Sequence, residues 1–354
     1  MEKVVFVCCK YKPAHKYLID SYFHILHNNG MQMLFLSDFS NYPSGALPSC
    51  CKFTSLSDFE KETNPSIFII VSPSKSNISI VKAIKRNNKC NKVIYIFHEP
   101  VSFSILIADH GFKLRTLLYG LGLNYFNGPK LINRCDYIIL PSNKALQLYE
   151  KNKKFKVKHS QLNLMFLQQK KGAEVLERHY FSYIGTVATN HGFDSYVEFL
   201  LSDFCPSSQK VMLATNSSVD RMLLNKLRDK FGKNAKLFTG QFISEEEMRI
   251  CYKETLALWL GYANSTQSGI LPMAYMFGTP ILFSPIDSFK EFAENFITGY
   301  EIKPGDFVSI SRGLGFIKNN VEMLSLNCVS RYNRFFNPEN KEKELLDVLS
   351  CLSD

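Results

Sequence analysis

Residues 265–280 read Ser-Thr-Gln-Ser-Gly-Ile-Leu-Pro-Met-Ala-Tyr-Met-Phe-Gly-Thr-Pro and run straight into Ile281, Leu282 and Phe283. The order is a polar loop, a short apolar helix and a buried strand. Ser265, Thr266 and Ser268 are residue types whose side-chain oxygens accept first-turn amides at a helix start. Gly269 lets a ligand approach the backbone, and the first-turn amides have no acceptor inside the helix, which outlines an anion site. Pro272 is compatible with the first turn. Taken alone, the segment fits equally a capped core helix of any α/β domain.

Working outward, strand-like runs alternate with helical ones along almost the whole chain. Strands are expected at 4–8, 33–36, 66–71, 92–97 and 136–140, separated by helical patterns at 16–27, 78–86 and 143–151. A second series follows at 181–184, 210–214, 236–238, 256–260, 279–283 and 300–302. Such alternation predicts parallel sheets joined by right-handed crossovers. The expected architecture is α/β, two tandem Rossmann-like doubly wound domains. The linker falls between Leu162 and Arg178, where Gln168-Gln169-Lys170-Lys171-Gly172 is polar. The expected division is residues 1–170, residues 171–335, and a C-terminal segment 336–354, an amphipathic helix opening at Pro338.

The chain has 354 residues, 45% of them hydrophobic, enough for two ordinary cores. Its longest apolar stretch, 93–107, is interrupted by His98, Glu99 and Pro100, so no membrane span is expected. The start, Met-Glu-Lys-Val-Val-Phe-Val-Cys-Cys, reads as a first strand rather than a signal peptide, which points to a cytoplasmic protein. The ten cysteines show neither Cys-x-x-Cys nor a Cys/His metal spacing and are expected as reduced thiols. A formal charge of +10 favours an acidic partner. The basic residues are dispersed and no nucleic-acid motif accompanies them, so nucleic acid is not expected as a partner.

Three further segments matter: 183–194 (Tyr-Ile-Gly185-Thr-Val-Ala-Thr-Asn-His191-Gly-Phe-Asp), 238–248 (Phe-Thr-Gly240-Gln-Phe-Ile-Ser-Glu-Glu-Glu-Met), and Gly299 with Lys303-Pro-Gly-Asp306. Together with Ala274 to Pro280, in this order, they resemble the C-terminal domain of family-four retaining glycosyltransferases of the GT-B fold. The resemblance covers the second half of the chain well and the first half loosely. It implies two Rossmann-like domains facing a cleft, with a nucleotide-diphosphate sugar held by the second domain and the last helix crossing back to the first. Matched residue by residue, Gly185 lies where the donor phosphate approaches, Ser268 and Gly269 offer amides to the pyrophosphate, and Thr186 and Gln267 are further donor-binding candidates. Gly240, Gln241 and Phe242 lie where the base is held. Gly185 and Gly240 also read as ordinary turn glycines.

The chain departs from that family at charged positions. The family's glutamate pair falls on Ser265 and Met273, and methionine offers a ribose no hydrogen-bonding oxygen. The basic pair that stabilises the departing diphosphate falls on Thr186 and His191, leaving His191 to carry charge. In the first half, Phe97-His98-Glu99-Pro100 ends a strand where the resembled enzymes contact donor sugar and acceptor. His98 and Glu99 are candidate catalytic residues, and His98 reads equally as a core histidine. Lys10 and Lys12, after the first strand, are candidate phosphate contacts or solvated lysines. No Asp-x-Asp occurs, so neither metal nor cofactor is expected.

The segment 111–134 mixes Lys113, Arg115, Lys130 and Arg134 with Phe112, Leu114, Leu117, Leu118, Leu121, Leu123, Tyr125 and Phe126. It fits a shallow contact with an anionic membrane, or a helix packed on its own domain. The sequence is therefore read as a glycosyltransferase using a nucleotide-diphosphate sugar and a glycan or lipid-linked acceptor in surface polysaccharide synthesis, peripheral at the inner membrane face. A catalytically silent sugar-nucleotide-binding partner subunit and a nucleotide-sugar epimerase are the alternatives.

Overall fold

The computed structural model describes residues 3–8, 13–37, 52–54, 64–74, 76–98, 100, 114–122, 127–168 and 177–352. Lys10, Lys12, Glu99 and Lys113 lie outside the described residues. The chain divides into two compact units, residues 1–167 with 335–354, and residues 168–334.

Among its described residues the first unit carries seven strands: β1 (Lys3–Cys8), β2 (Gln32–Ser37), β3 (Lys52–Thr54), β4 (Ile67–Ile70), β5 (Lys92–Ile96), β6 (Tyr137–Leu140) and β7 (His159–Gln161). All pair in parallel, in the order β3-β2-β1-β4-β5-β6-β7. Its helices are α1 (Pro13–Asn28), α2 (Asn77–Asn87), α3 (Leu114–Leu121), α4 (Asn127–Ile132) and α5 (Asn143–Lys151). Successive strand residues face opposite sides. Val4, Phe6 and Cys8 therefore enter one buried layer with Ile67, Ile69, Ile94 and Ile96. Val5 and Val7 enter the other with Phe68, Ile70, Val93 and Tyr95. Burial on both faces explains why these strands read as unbroken apolar runs.

The second unit repeats the plan with β8 (Tyr180–Ile184), β9 (Val211–Thr215), β10 (Ala235–Thr239), β11 (Thr255–Leu260), β12 (Ile281–Phe283) and β13 (Gly299–Glu301), in the order β10-β9-β8-β11-β12-β13. Its helices are α6 (Phe193–Leu201), α7 (Arg221–Phe231), α8 (Glu245–Glu254), α9 (Ile270–Met276), α10 (Asp287–Lys290) and α11 (Phe307–Phe335). Both sheets have the doubly wound order, which reverses direction once and leaves a crevice outside the carboxyl ends of two central strands. Those strands are β1 and β4 in the first unit, and β8 and β11 in the second.

The expected helix from Pro338 begins later. Asn337 accepts a hydrogen bond from the Glu339 amide and bends Pro338–Asn340 into a 3-10 turn. Helix α12 (Glu342–Ser350) follows and buries Leu345, Val348 and Leu349 in the first unit's layer beside α1. Asn29 reaches Glu342 at 2.7 Å. The sequence reading names neither β3 nor β7, each of three residues, nor α11, which is interrupted at Asn320, where Nδ2 turns back onto the Phe316 carbonyl.

One part-buried cation ties the second unit together. The Arg178 guanidinium donates to the carbonyls of Tyr252, Thr255 and Phe277 and to Thr279 Oγ1. It thereby gathers the C-terminal ends of α8 and α9, whose last carbonyls lack helical partners and carry partial negative charge. Burial lowers its pKa to about 10, which still leaves it charged at neutral pH. Replacing Arg178 with Met should strand several acceptors and cost roughly 3 kcal/mol. Urea unfolding of the two proteins measures the difference, and equal midpoints would show that the guanidinium contributes nothing.

Candidate functional site

The switch point of the second unit lies where the chain leaves β8 and β11. The loop after β8 passes through Gly192, whose φ of 71° is left-handed. A Cβ there would lie 2.0 Å from the Gly261 carbonyl oxygen, and a Cβ on Gly261 would lie 2.3 Å from the Trp259 ring. Only glycine allows this approach. Trp259, the chain's single tryptophan, is buried beneath both loops and donates from Nε1 to the Gly192 carbonyl at 3.0 Å. A second tie runs from the Ala263 amide to the Asn190 carbonyl at 2.9 Å.

This packing sets the conformation of His191. Its ring lies parallel to Tyr262, with centroids 4.5 Å apart and an interplanar angle of 12°. Nδ1 stands 3.1 Å from the Thr186 carbonyl, and because a carbonyl only accepts, Nδ1 carries the hydrogen. The same carbonyl accepts from the Tyr183 hydroxyl at 2.7 Å. Nε2 is therefore the ring nitrogen that this bond leaves for a ligand. Tyr262 is buried, which raises the pKa of its hydroxyl despite the bond from Ser268 at 3.5 Å. It remains neutral.

The remaining carboxyl-end loops join the same network. The Gly185 amide donates to Ala214, and the Val187 amide to Ser217 Oγ. The Gly240 amide donates to the Ser217 carbonyl, and Ile243 to Asn216 Oδ1. Gly185, with φ of 123°, meets the other side of the crevice: a Cβ there would lie 3.1 Å from the Ile270 side chain at the start of α9. Gly185, Thr186, His191, Ser268 and Gly269 are thus gathered at one switch point. Gly240 and Gln241 stand at its rim, exposed, with Phe242 beside them 72% exposed.

Within residues 264–269, Ser268 accepts a first-turn amide, as its residue type leads one to expect: its hydroxyl takes the Ile270 amide at 3.3 Å and also reaches Tyr262. One amide of the expected anion cradle is therefore already engaged. Ser265 is half-buried and Thr266 buried. Both polar atoms of the Gln267 carboxamide are buried, and neither has a protein hydrogen-bond partner. Met273 is buried in α9, where every residue from Leu271 to Met276 is buried.

In the first unit, His98 Nε2 donates to the Val71 carbonyl at 3.0 Å, linking the ends of β4 and β5. Burial lowers its pKa, so the ring is neutral near pH 7, with Nδ1 as its acceptor nitrogen. Beside it, Ser72 Oγ and Asn77 Oδ1 are buried without a protein partner, while Asn77 Nδ2 holds the Ser72 carbonyl. Arg115, Lys130 and Arg134 are exposed. The Arg134 guanidinium also closes the end of α4 by donating to the Lys130 carbonyl.

Sequence reasoning missed Trp259, Gly261 and Tyr262, which organise the site. The available signal was a lone tryptophan two residues before a glycine at the end of a strand. Replacing Gly192 with Ala places a methyl group against the Gly261 backbone at an unfavourable φ. It should destabilise the protein by about 3 kcal/mol. The check is a shift in the urea midpoint accompanied by altered Trp259 fluorescence; unchanged values for both would mean that the two loops do not touch.

No protein-family model matches the sequence, and no curated protein matches it. Solved structures do. Sucrose-phosphate synthase from Thermosynechococcus elongatus superposes with a TM-score of 0.71 at 11% identity, covering 99% of each chain. Anabaena HepE in complex with UDP-glucose gives 0.68 at 10% identity, over 99% of this chain and 100% of that one. The lipopolysaccharide outer core galactosyltransferase WaaB gives 0.63 at 14% identity, over 97% and 99%. At these identities the likeness concerns the fold, and the chain has the GT-B fold of these proteins, with two Rossmann-like units.

Proposed function

We propose that this protein is a glycosyltransferase that moves a sugar from a nucleotide-diphosphate sugar to a glycan or lipid-linked saccharide. The observation that carries the reading is the convergence of Gly185, His191 and the 264–269 loop on the switch point of the second sheet. This is where doubly wound sheets bind nucleotides. The likeness to HepE, solved with UDP-glucose, supports that ligand class.

In the proposed reaction the bond between the sugar's anomeric carbon and the diphosphate breaks. The acceptor hydroxyl oxygen bonds to the same face of that carbon, and its proton passes to the departing diphosphate oxygen, so configuration is retained as the resemblance implies. Negative charge grows on the leaving group. A protonated His191, held at Nδ1 by Thr186, would direct Nε2–H towards it, and main-chain amides near Ser268 and Gly269 would supply the rest. The absence of Asp-x-Asp from the sequence supports a metal-independent route, in which chelator leaves turnover unchanged. Phe242 and Gln241, at the rim, would meet the base. Neutral His98 would meet the acceptor side, with Glu99 as a further candidate there and Lys10 and Lys12 as candidate phosphate contacts.

The acceptor assignment draws on α3. Leu114 and Leu118, four residues apart on one helical face, are 71% and 59% exposed, and Arg115 beside them is exposed too. Lys130 and Arg134 are exposed as well, and basic residues among exposed leucines suit an anionic bilayer. Among the described residues no helix is long and apolar enough to cross a membrane. These features support the reading of a peripheral enzyme that works on a lipid-linked acceptor, and surface polysaccharide synthesis at the cytoplasmic face is part of the same proposal.

A second reading, a silent sugar-nucleotide-binding subunit, is favoured by Ser265 and the buried Met273. Mass spectrometry of donor and acceptor mixtures separates the two: transfer or donor hydrolysis supports the enzyme, whereas binding without either supports the subunit.

Replacing His191 with Ala should lower kcat roughly tenfold or more while donor affinity stays within about twofold, because the charge develops in the transition state. Wild-type turnover would return His191 to a packing role. Replacing Lys113, Arg115, Lys130 and Arg134 with Gln should release the protein from anionic vesicles. Wild-type binding should also weaken with salt, since exposed charges are screened over about 10 Å at 0.1 M. Sedimentation with anionic and neutral vesicles is the measurement, and equal binding to both would remove the membrane surface from the account.

A further inference from the structure

We infer that the Gln267 carboxamide recognises a vicinal diol of the nucleotide-sugar donor. This deepens the functional proposal above and rests on it. Both Gln267 polar atoms are buried, yet neither finds a protein partner. A buried amide left unpaired is destabilising, and such groups are uncommon in folded proteins. The surrounding chain does not lack hydrogen-bonding groups. Ser268, the next residue, engages both Tyr262 and the Ile270 amide, and Ser284 binds the Leu260 and Tyr262 carbonyls. Gln267 is left out of a network that its neighbours complete.

Its location gives that exclusion a purpose. Gln267 belongs to the loop joining β11 to α9, at the switch point, three residues before the Ile270 side chain that meets Gly185. A carboxamide offers two N–H donors on one side and an accepting oxygen on the other. Two adjacent hydroxyls match this, one accepting from Nε2 while the other donates to Oε1. A carboxylate would repel a diphosphate nearby, and an apolar side chain would read no hydroxyl. A neutral carboxamide reads a diol beside a diphosphate without that repulsion. A site with a buried amide awaiting hydroxyls rejects analogues that lack them, because the amide then stays unpaired.

A nucleotide sugar carries vicinal diols on its hexose and on its ribose, and the test distinguishes them. The Gln267→Met variant keeps side-chain length and removes both polar atoms. Calorimetric titration of wild type and variant would use UDP, GDP and ADP, their glucose conjugates, and the 2′-deoxy nucleoside diphosphates. The expected result is that glucose conjugates lose about tenfold or more in affinity while the free diphosphates are unchanged, which assigns the hexose diol. If the diphosphates weaken as well, and the variant no longer prefers them to their 2′-deoxy forms, the diol is that of the ribose. Either result supports the inference. Unchanged affinity for every ligand overturns it while leaving donor binding intact. A wild-type protein that binds none of these ligands refutes the donor proposal itself and the Gln267 assignment with it. The apo melting temperature gives an independent readout: removing an unpaired amide should leave it equal or higher, and a marked fall would show that Gln267 serves packing alone.

Discussion

The contact between the backbones of Gly192 and Gly261, over the Trp259 ring, is the constraint on which the candidate site depends. Strands β8 and β11 are hydrogen-bonded neighbours in a parallel sheet, so their outgoing loops start side by side. A side chain at either glycine would force those loops apart. With hydrogen atoms there, they touch, and Trp259 anchors the Gly192 carbonyl from below. His191 and Tyr262, each next to one of these glycines, can then stack. The stack in turn explains the environment of Ser268: its hydroxyl meets the Tyr262 phenol, and the start of α9 is drawn towards Gly185.

The doubly wound architecture was legible because burial on both faces of each sheet writes itself as long apolar runs. The run 4–8 and the run 256–260 need no context to be recognised. Strands β3 and β7 left no such mark. His159-Ser160-Gln161 is polar and lies at a sheet edge with one strand neighbour, so neither composition nor alternation sets it apart. Helix α11 escaped for a different reason. It contains Gly313, Gly315 and a non-helical Asn320, and each interrupts the periodicity by which an amphipathic helix is detected.

The candidate site was legible where it depends on loop position and illegible where it depends on contact. Gly185, His191, Ser268 and Gly269 could be marked because loops at the carboxyl ends of strands form the crevice of such a sheet. The partners that give them shape could not. Nothing in the sequence says that Tyr262 stacks on a histidine seventy-one positions earlier, or that a serine taking a helix amide also bonds a phenol. The distinction between Gln267 and its polar neighbours is likewise a property of the fold. Thr266 and Ser268 are equally suited to a loop by composition, and the contrast arises only when the hydrogen bonds of each are traced.

The same tracing gives Met273 a physical sense. Helix α9 is seven residues long, and Leu271 through Met276 are all buried. Tyr275, its one polar side chain, is committed to Thr298 at 2.9 Å. An ionised glutamate at position 273 would have to be desolvated among apolar neighbours, at a cost of several kcal/mol unless a cation or a ligand hydroxyl compensated it. With methionine there, the helix is an apolar plug that supports the sheet and offers no side-chain oxygen to a ligand. In the proposed donor site, polar recognition on this side of the crevice would then fall to the loop ahead of the helix, where the described structure leaves one buried carboxamide unsatisfied. An apolar residue at position 273 thus supports the sheet, while the glycine contact shapes the crevice independently of it.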